Sequence, residues 1–213
     1  VDVHPPTEPI RSWRDFLLHL LTITIGLLIA LALEFLVETV HFHHLVRETR
    51  SNLSREIAAN QKLFADNERE LAENRERLAS DIAQLRTLRS AKPPQAIDLH
   101  FSFGWNSFSD SSWKSARDSG AMIHMEPQII ERYADLYAQQ EYANQSGVAI
   151  LMDVARAAAP LLTLENHKDP RELLPSEVET MLLACAELEA RVEMLQQIMK
   201  PLEADYAAEV SER

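Results

Sequence analysis

The stretch "ETVHFHH", residues 38 to 44, has side chains of the right type and spacing to hold a metal ion. Glu38 and His41 stand three apart, as do His41 and His44, so a carboxylate and two imidazoles share one face of a helix. His43 lies off that face. His19 sits too far along the same helix to join them, and nothing else in the chain completes a ligand set. Histidines at a membrane interface are common without such a role, so the reading is no metal and no cofactor, with His41 and His44 as the only candidates.

A second group is aromatic. Trp105, Trp113, Tyr133 and Tyr137 could line a ligand pocket. Rings at this density also serve to plug the end of a helical bundle. Catalytic patterns are missing: the chain holds no Walker A loop, GxGxxG, GxSxG, HExxH or CxxC. The abundant carboxylates fall three or four residues from arginines, as Glu73 does from Arg77, the spacing of a solvated helix face. The expectation is a protein that is not an enzyme.

The third group is a column of amides. In "IAANQKLFADNERELAENRERLASD", residues 57 to 81, Ile57, Phe64, Leu71 and Leu78 recur every seventh place, and Asn60, Asn67, Asn74 and Asp81 follow each by three. A heptad seam calls for apolar residues at both positions, and polar ones there specify register and oligomer state at a cost in stability. Two arrangements fit. The apolar column, flanked by Ala58, Ala65, Ala72 and Ala79, packs on another helix of the same chain and leaves the asparagines at its rim. Alternatively the asparagines face copies of themselves across an oligomeric seam.

These groups need elements to position them. Only 4 glycines among 213 residues, with much Ala, Leu and Glu, indicate an all-α fold. The net charge of -12 argues against a nucleic-acid partner. Cys185 is the single cysteine, so no internal disulfide forms. "FLLHLLTITIGLLIALAL", Phe16 to Leu33, carries no Asp, Glu, Lys or Arg. Extended to Val37 it makes about 33 Å of helix, against about 30 Å of bilayer hydrocarbon. The run is too long for the apolar part of a cleaved leader and does not end in small residues. Residues 16–40 are therefore assigned to a transmembrane helix after a tail at 1–15. His19, Thr22, Gly26, Ala30, Glu34 and Glu38 form one stripe on it. Gly26 and Ala30 are a small-xxx-small pair that lets backbones approach, and a carboxylate facing lipid is costly. This face is expected to pack on another transmembrane helix, its own copy or that of a larger complex.

Beyond the span, residues 41–92 contain neither Gly nor Pro up to Ser90, and the helix is expected to continue as a stalk. "AKPPQ" should break it at Pro93 and Pro94. Residues 93–213 then form a helical domain packing back on the stalk. Phe101, Phe103 and Trp105 alternate as in a short extended piece. A short helix follows, with Asp110 to Ser112 as caps and Gly120 as its end. A third helix starts at Pro127, with a bend expected near Ser146 and Gly147, and runs to Pro160. The last starts near Ser176, with Glu179 closing a capping box. Its heptads place Val178, Cys185, Val192, Met199 and Tyr206 at one position and Met181, Leu188, Leu195 and Leu202 at the other. Pro201 should kink it. The whole reads as an antiparallel bundle or coiled-coil domain on a single N-terminal span.

Two resemblances attach to these motifs. Residues 57 to 81 resemble the IxxN heptads of trimeric adhesin stalks, in which rings of inward asparagines hold anions, but Gln61, Glu68 and Arg75 stand where that family favours Thr. "FLLHLLTITIGLLIALALE" together with "WKSARDSGAM…IIERYADLY" resembles an uncharacterised group of bacterial single-span membrane proteins with a helical extramembrane domain. That resemblance implies a bacterial inner-membrane, single-pass protein and no particular activity. A short tail before one span leans towards placing the bulk of the chain in the periplasm, although Arg11 and Arg14 against Arg47, Arg50 and Arg55 nearly balance. The functional expectation is a non-catalytic, membrane-anchored subunit that oligomerises or serves as an accessory scaffold. The alternative is a membrane-anchored sensing domain with an aromatic pocket.

Overall fold

The computed structural model describes residues 12–90, 96–162 and 169–211. The expected break at Pro93 and Pro94 and most of the loop before Pro170 lie outside these residues. The described residues form four α-helices and two short 3-10 turns: α1 Trp13–Ser90, α2 Ser111–Asp118, a turn at Ala121–His124, α3 Pro127–Leu162, a turn at Pro170–Glu172, and α4 Pro175–Ser211. No strand occurs among the described residues. The chain divides into two compact units, Val1–Thr49 and Arg50–Arg213, and α1 contributes to both.

In the first unit, α1 is the one described helix long and apolar enough to cross a membrane, and its most apolar stretch is wholly uncovered. Thr22, Thr24 and Thr39 turn their hydroxyls back onto the carbonyls of Leu18, Leu20 and Phe35, each at 2.8 Å. That closes the polar groups of these side chains within the helix itself.

The second unit carries the core. Ile57, Phe64, Leu71, Leu78 and Leu85 of α1 are all buried, as are all nine heptad positions of α4 from Val178 to Tyr206. Contacts between α1 and α4 pair Phe64 with Tyr206, Arg75 with Gln196 and Arg89 with Glu179, so the two helices run in opposite directions here. Helix α3 packs along α4, with Gln139 on Asp205, Gln140 on Tyr206 and Asp153 beside Arg191.

Three local details differ from the sequence reading. Helix α4 begins at Pro175, whose fixed φ suits the first helical turn, and Glu177 rather than Glu179 reaches back, to the Leu174 N–H at 2.6 Å. Glu179 instead pairs with Arg89 of α1 at 3.1 Å. Pro201 stands inside α4, which continues to Ser211. Its missing N–H would have met the carbonyl of Gln197, and both residues are exposed, so water can take that carbonyl. Gly147 lies within a continuous α3, and its role is close approach. A Cβ there would fall 2.4 to 2.6 Å from the indole of Trp105.

Candidate functional site

Asn60 and Asn67 are fully buried, and Asn74 and Asp81 are nearly so. They do not stand at a solvated rim. Their partner is residues 98–109 of the same chain, an extended strap laid along α1. Asn60 donates to the Ser109 carbonyl at 2.7 Å and accepts from the Ser109 N–H at 2.9 Å. Asn67 does the same to Asn106, both at 2.8 Å. Asn74 does so to Gly104 at 3.3 and 3.4 Å. Asp81 accepts from the His100 N–H at 2.9 Å, and one turn on Gln84 accepts from the Asp98 N–H at 2.6 Å.

Why amides, and why every seventh residue? A helix consumes its own backbone groups, so an extended segment beside it finds no ladder partners. A carboxamide presents a donor group and an acceptor group side by side, the complement of a single residue's C=O and N–H. Seven helical residues advance about 10.5 Å, and three extended residues advance about 10 Å. Asn60 to Asp81 is therefore about 31 Å of helix against about 30 Å of strap from Ser109 to His100. The two elements match in total length, with the strap advancing three, two and four residues between successive rungs.

The strap's side chains obey the alternation expected of "IDLHFSFGW". Ile97, Leu99, Phe101, Phe103 and Trp105 are half-buried, and Asp98, His100 and Ser102 between them are exposed. At Phe108 the strap meets α3. Asn144 donates to its carbonyl at 3.0 Å and accepts from its N–H at 2.9 Å, the same two-point amide contact.

The strap ends in a buried carboxylate. Glu56 accepts from the Tyr137 hydroxyl at 2.8 Å, from Ser109 and Ser111 hydroxyls at 2.8 and 2.7 Å, and from the Ser112 N–H at 2.9 Å. It therefore caps α2 from another helix. Asp110, at the N-cap position, makes no cap bond and pairs with Lys114. Burial by itself would raise the Glu56 pKa, but the bonds from Ser112, Ser111, Ser109 and Tyr137 together outweigh it and hold the carboxyl below its usual range. The Tyr137 phenol is pushed far up by burial and by its bond to Glu56. Next to this cluster Asn60 also donates to Gln140 at 2.9 Å, and Gln140 donates to the Tyr206 hydroxyl at 3.0 Å. At the other end burial raises Asp81, against the His100 N–H and imidazole.

Of the four candidate aromatic residues, Trp113, Tyr133 and Tyr137 lie together and Trp105 lies apart. Trp113 stacks on Tyr137 with centroids 5.3 Å apart. Trp105 sits on Gly147 and meets Phe108 edge-on at 5.8 Å. Tyr137 and Gly147 are ten residues apart on α3, about 15 Å. Tyr133 is buried on the same helix.

In the first unit His19, Thr22, Gly26, Ala30, Glu34 and Glu38 are all exposed on α1, and nothing lies within 4 Å of a Cβ built on Gly26. His41, His43 and His44 are exposed too, with His44 3.9 Å from Glu48. Among the described residues no three metal-ligating side chains converge.

Glu56, Gln84, Asn144 and Gln140 complete the polar framework without a sequence signal of their own, and the Tyr206 hydroxyl adds a polar bond to a residue whose heptad position signals only burial. Asn144 alone could have been suspected, as an amide on a helix facing the same aromatic segment. Comparison with protein-family models, with curated proteins and with solved structures finds no match.

Proposed function

We propose that this chain is a non-catalytic, membrane-anchored helical subunit of a larger assembly, held in a bacterial inner membrane by residues 16–37, with the helical domain on the periplasmic side. The observation that carries this reading is the contrast in how polar groups are used. In the second unit the buried amides and Glu56 are spent on holding the chain's own strap. On the apolar stretch of α1, the stripe from His19 to Glu38 is exposed and carries no bond to another part of the chain among the described residues. A stripe with a small-xxx-small pair and a carboxylate suits helix packing inside a bilayer better than contact with acyl chains. The second unit then acts as a scaffold of antiparallel helices stiffened by the strap.

The test is extraction. The protein should resist alkaline carbonate, and in mild detergent it should migrate as an oligomer or with a partner. Gly26→Leu with Ala30→Leu should release it as a monomer while leaving carbonate resistance intact. A wild-type protein that is monomeric and partner-free in mild detergent overturns the reading.

A further inference from the structure

The fourth rung of the ladder is a carboxyl where the other three are carboxamides. Each asparagine binds both the N–H and the C=O of one strap residue. Asp81 binds the His100 N–H alone, and the His100 carbonyl has no hydrogen-bond partner among the described residues. In extended chain the N–H and C=O of one residue point to the same side. The His100 carbonyl therefore faces the position where Asn60, Asn67 and Asn74 each present an N–H. An ionised Asp81 offers only oxygen there. A protonated carboxyl has the shape and the donor–acceptor pair of an amide.

We propose that Asp81 is a proton-binding rung: on taking up a proton it accepts from the His100 N–H, donates to the His100 carbonyl, and closes the 98–104 end of the strap onto α1.

Two-point contact is lost in that direction. Contacts at Asn60 and Asn67 lie at 2.7 to 2.9 Å, those at Asn74 lengthen to 3.3 and 3.4 Å, and Asp81 and Gln84 keep one bond each, from the His100 N–H at 2.9 Å and the Asp98 N–H at 2.6 Å. Asn74 is also shared with Arg77, which donates to its oxygen. A cavity of about 10 Å³ adjoins this end, lined in part by Asn74, Asp81, His100 and Phe103. That is at the lower limit for one water. Asp81 has no ion-pair partner among the described residues. The titratable groups near it are His100 and Asp98 on the strap, themselves paired at 3.3 Å, and the Cys185 thiol on α4. Helix α3 presents Val154 to the cavity. Burial raises the Asp81 pKa, which favours the protonated rung. By linkage, a group raised in the folded state lends stability that is complete below its unfolded pKa and is lost as pH rises through the folded value.

The experiment uses the full chain in detergent micelles. Asp81→Asn installs the donor permanently. Its Tm should exceed wild type at about pH 8, and the gain should be smaller at about pH 4, because protons return to a carboxyl that burial holds above its ordinary range. Hydrogen exchange of residues 98–104, corrected for intrinsic rates, should slow in wild type as pH falls and show no such trend in Asp81→Asn. Asn74→Asp should create the same pH dependence one rung earlier. His100→Gln, which removes the imidazole titration, should keep the wild-type trend. The proposal is overturned if Asp81→Asn fails to stabilise at about pH 8, if its gain is equal at both pH values, or if the trend disappears with His100→Gln.

Discussion

Replacing Asn67 by alanine tests the ladder most directly. Asn67 is fully buried, and its carboxamide holds Asn106 at both main-chain groups, with a third contact from the Asn106 side chain at 3.2 Å. Asn106 is itself exposed, so its freed N–H and C=O regain water rather than stay orphaned. Each lost bond then costs its net value of about 0.5–1.5 kcal/mol rather than a full desolvation penalty. Two main-chain bonds and the space left by a buried carboxamide come to about 2–3 kcal/mol. For a unit spanning Arg50–Arg213, 1 kcal/mol moves Tm by about 2–4 °C, so a drop of about 4–12 °C is expected. Glu76→Ala, on the exposed face of the same helix, should stay within about 0.5 kcal/mol. Asn67→Asp should cost more than Asn67→Ala at neutral pH, because it buries a charge and sets oxygen against the Asn106 carbonyl. Thermal unfolding of the full chain in micelles gives the stability, and hydrogen exchange around residue 106 gives the location. A cost for Asn67→Ala below about 0.5 kcal/mol, or strap exchange unchanged from wild type, refutes the argument that amides hold the strap.

Glu56→Gln should destabilise the second unit by about 1–3 kcal/mol, since one amide cannot accept from all four donors. Because the Glu56 pKa is lowered on folding, its contribution is present above the unfolded pKa and lost as pH falls through the folded one. The gap between wild type and Glu56→Gln in unfolding experiments should therefore close on acidification, opposite in sign to Asp81. Gly147→Ala gains about 1 kcal/mol in helix propensity but drives a Cβ into the rigid Trp105 ring. The net should be a loss of about 1–2 kcal/mol with a shifted Trp fluorescence maximum, and a stabilised variant would count against the close approach. The Cys185 thiol is buried and pushed up to about 11 by burial and by the Asp81 charge. It should resist maleimide at about pH 8 until denaturant is added, and immediate labelling of the native protein would contradict the packing of α4.

Periodicity carried most of the helical framework. The α4 heptad is legible because all nine of its residues are buried, and burial leaves a pattern of period seven even where, as at Tyr206, the side chain also makes a polar bond. The amide column was just as visible, but its meaning was not. Asn60, Asn67 and Asn74 look the same in sequence whether their partner is water, a copy or a strap, because the partner is a main chain and carries no side-chain signature. The clue lay in the neighbouring segment, where Phe101, Phe103 and Trp105 alternate without any second strand to pair with. Glu56 was silent for another reason. It serves α2 from α1, and the local capping residues Asp110 and Ser111 seemed to make a remote cap unnecessary. Gly147 suggested a bend because its sequence shows only a missing side chain, and the indole that fills the gap is 42 residues earlier.

The division of labour along the strap follows from what each contact can read. A carboxamide meeting a peptide C=O and N–H cannot distinguish one strap residue from the next, so the ladder supplies grip without register. Sliding the strap by one residue would still offer every rung a donor and an acceptor, yet it would turn Phe101, Phe103 and Trp105 outward. Register must therefore come from shape: Trp105 seated on the one α3 position that lacks a Cβ, and Phe108 packed beside Tyr206 and held at its backbone by Asn144. Both anchors lie towards the Ser109 end, where each rung holds the strap at two points. The His100 end has no anchor of that kind and is held at Asp81 and Gln84 by one bond each, so it is the part of the strap that responds when Asp81 changes charge.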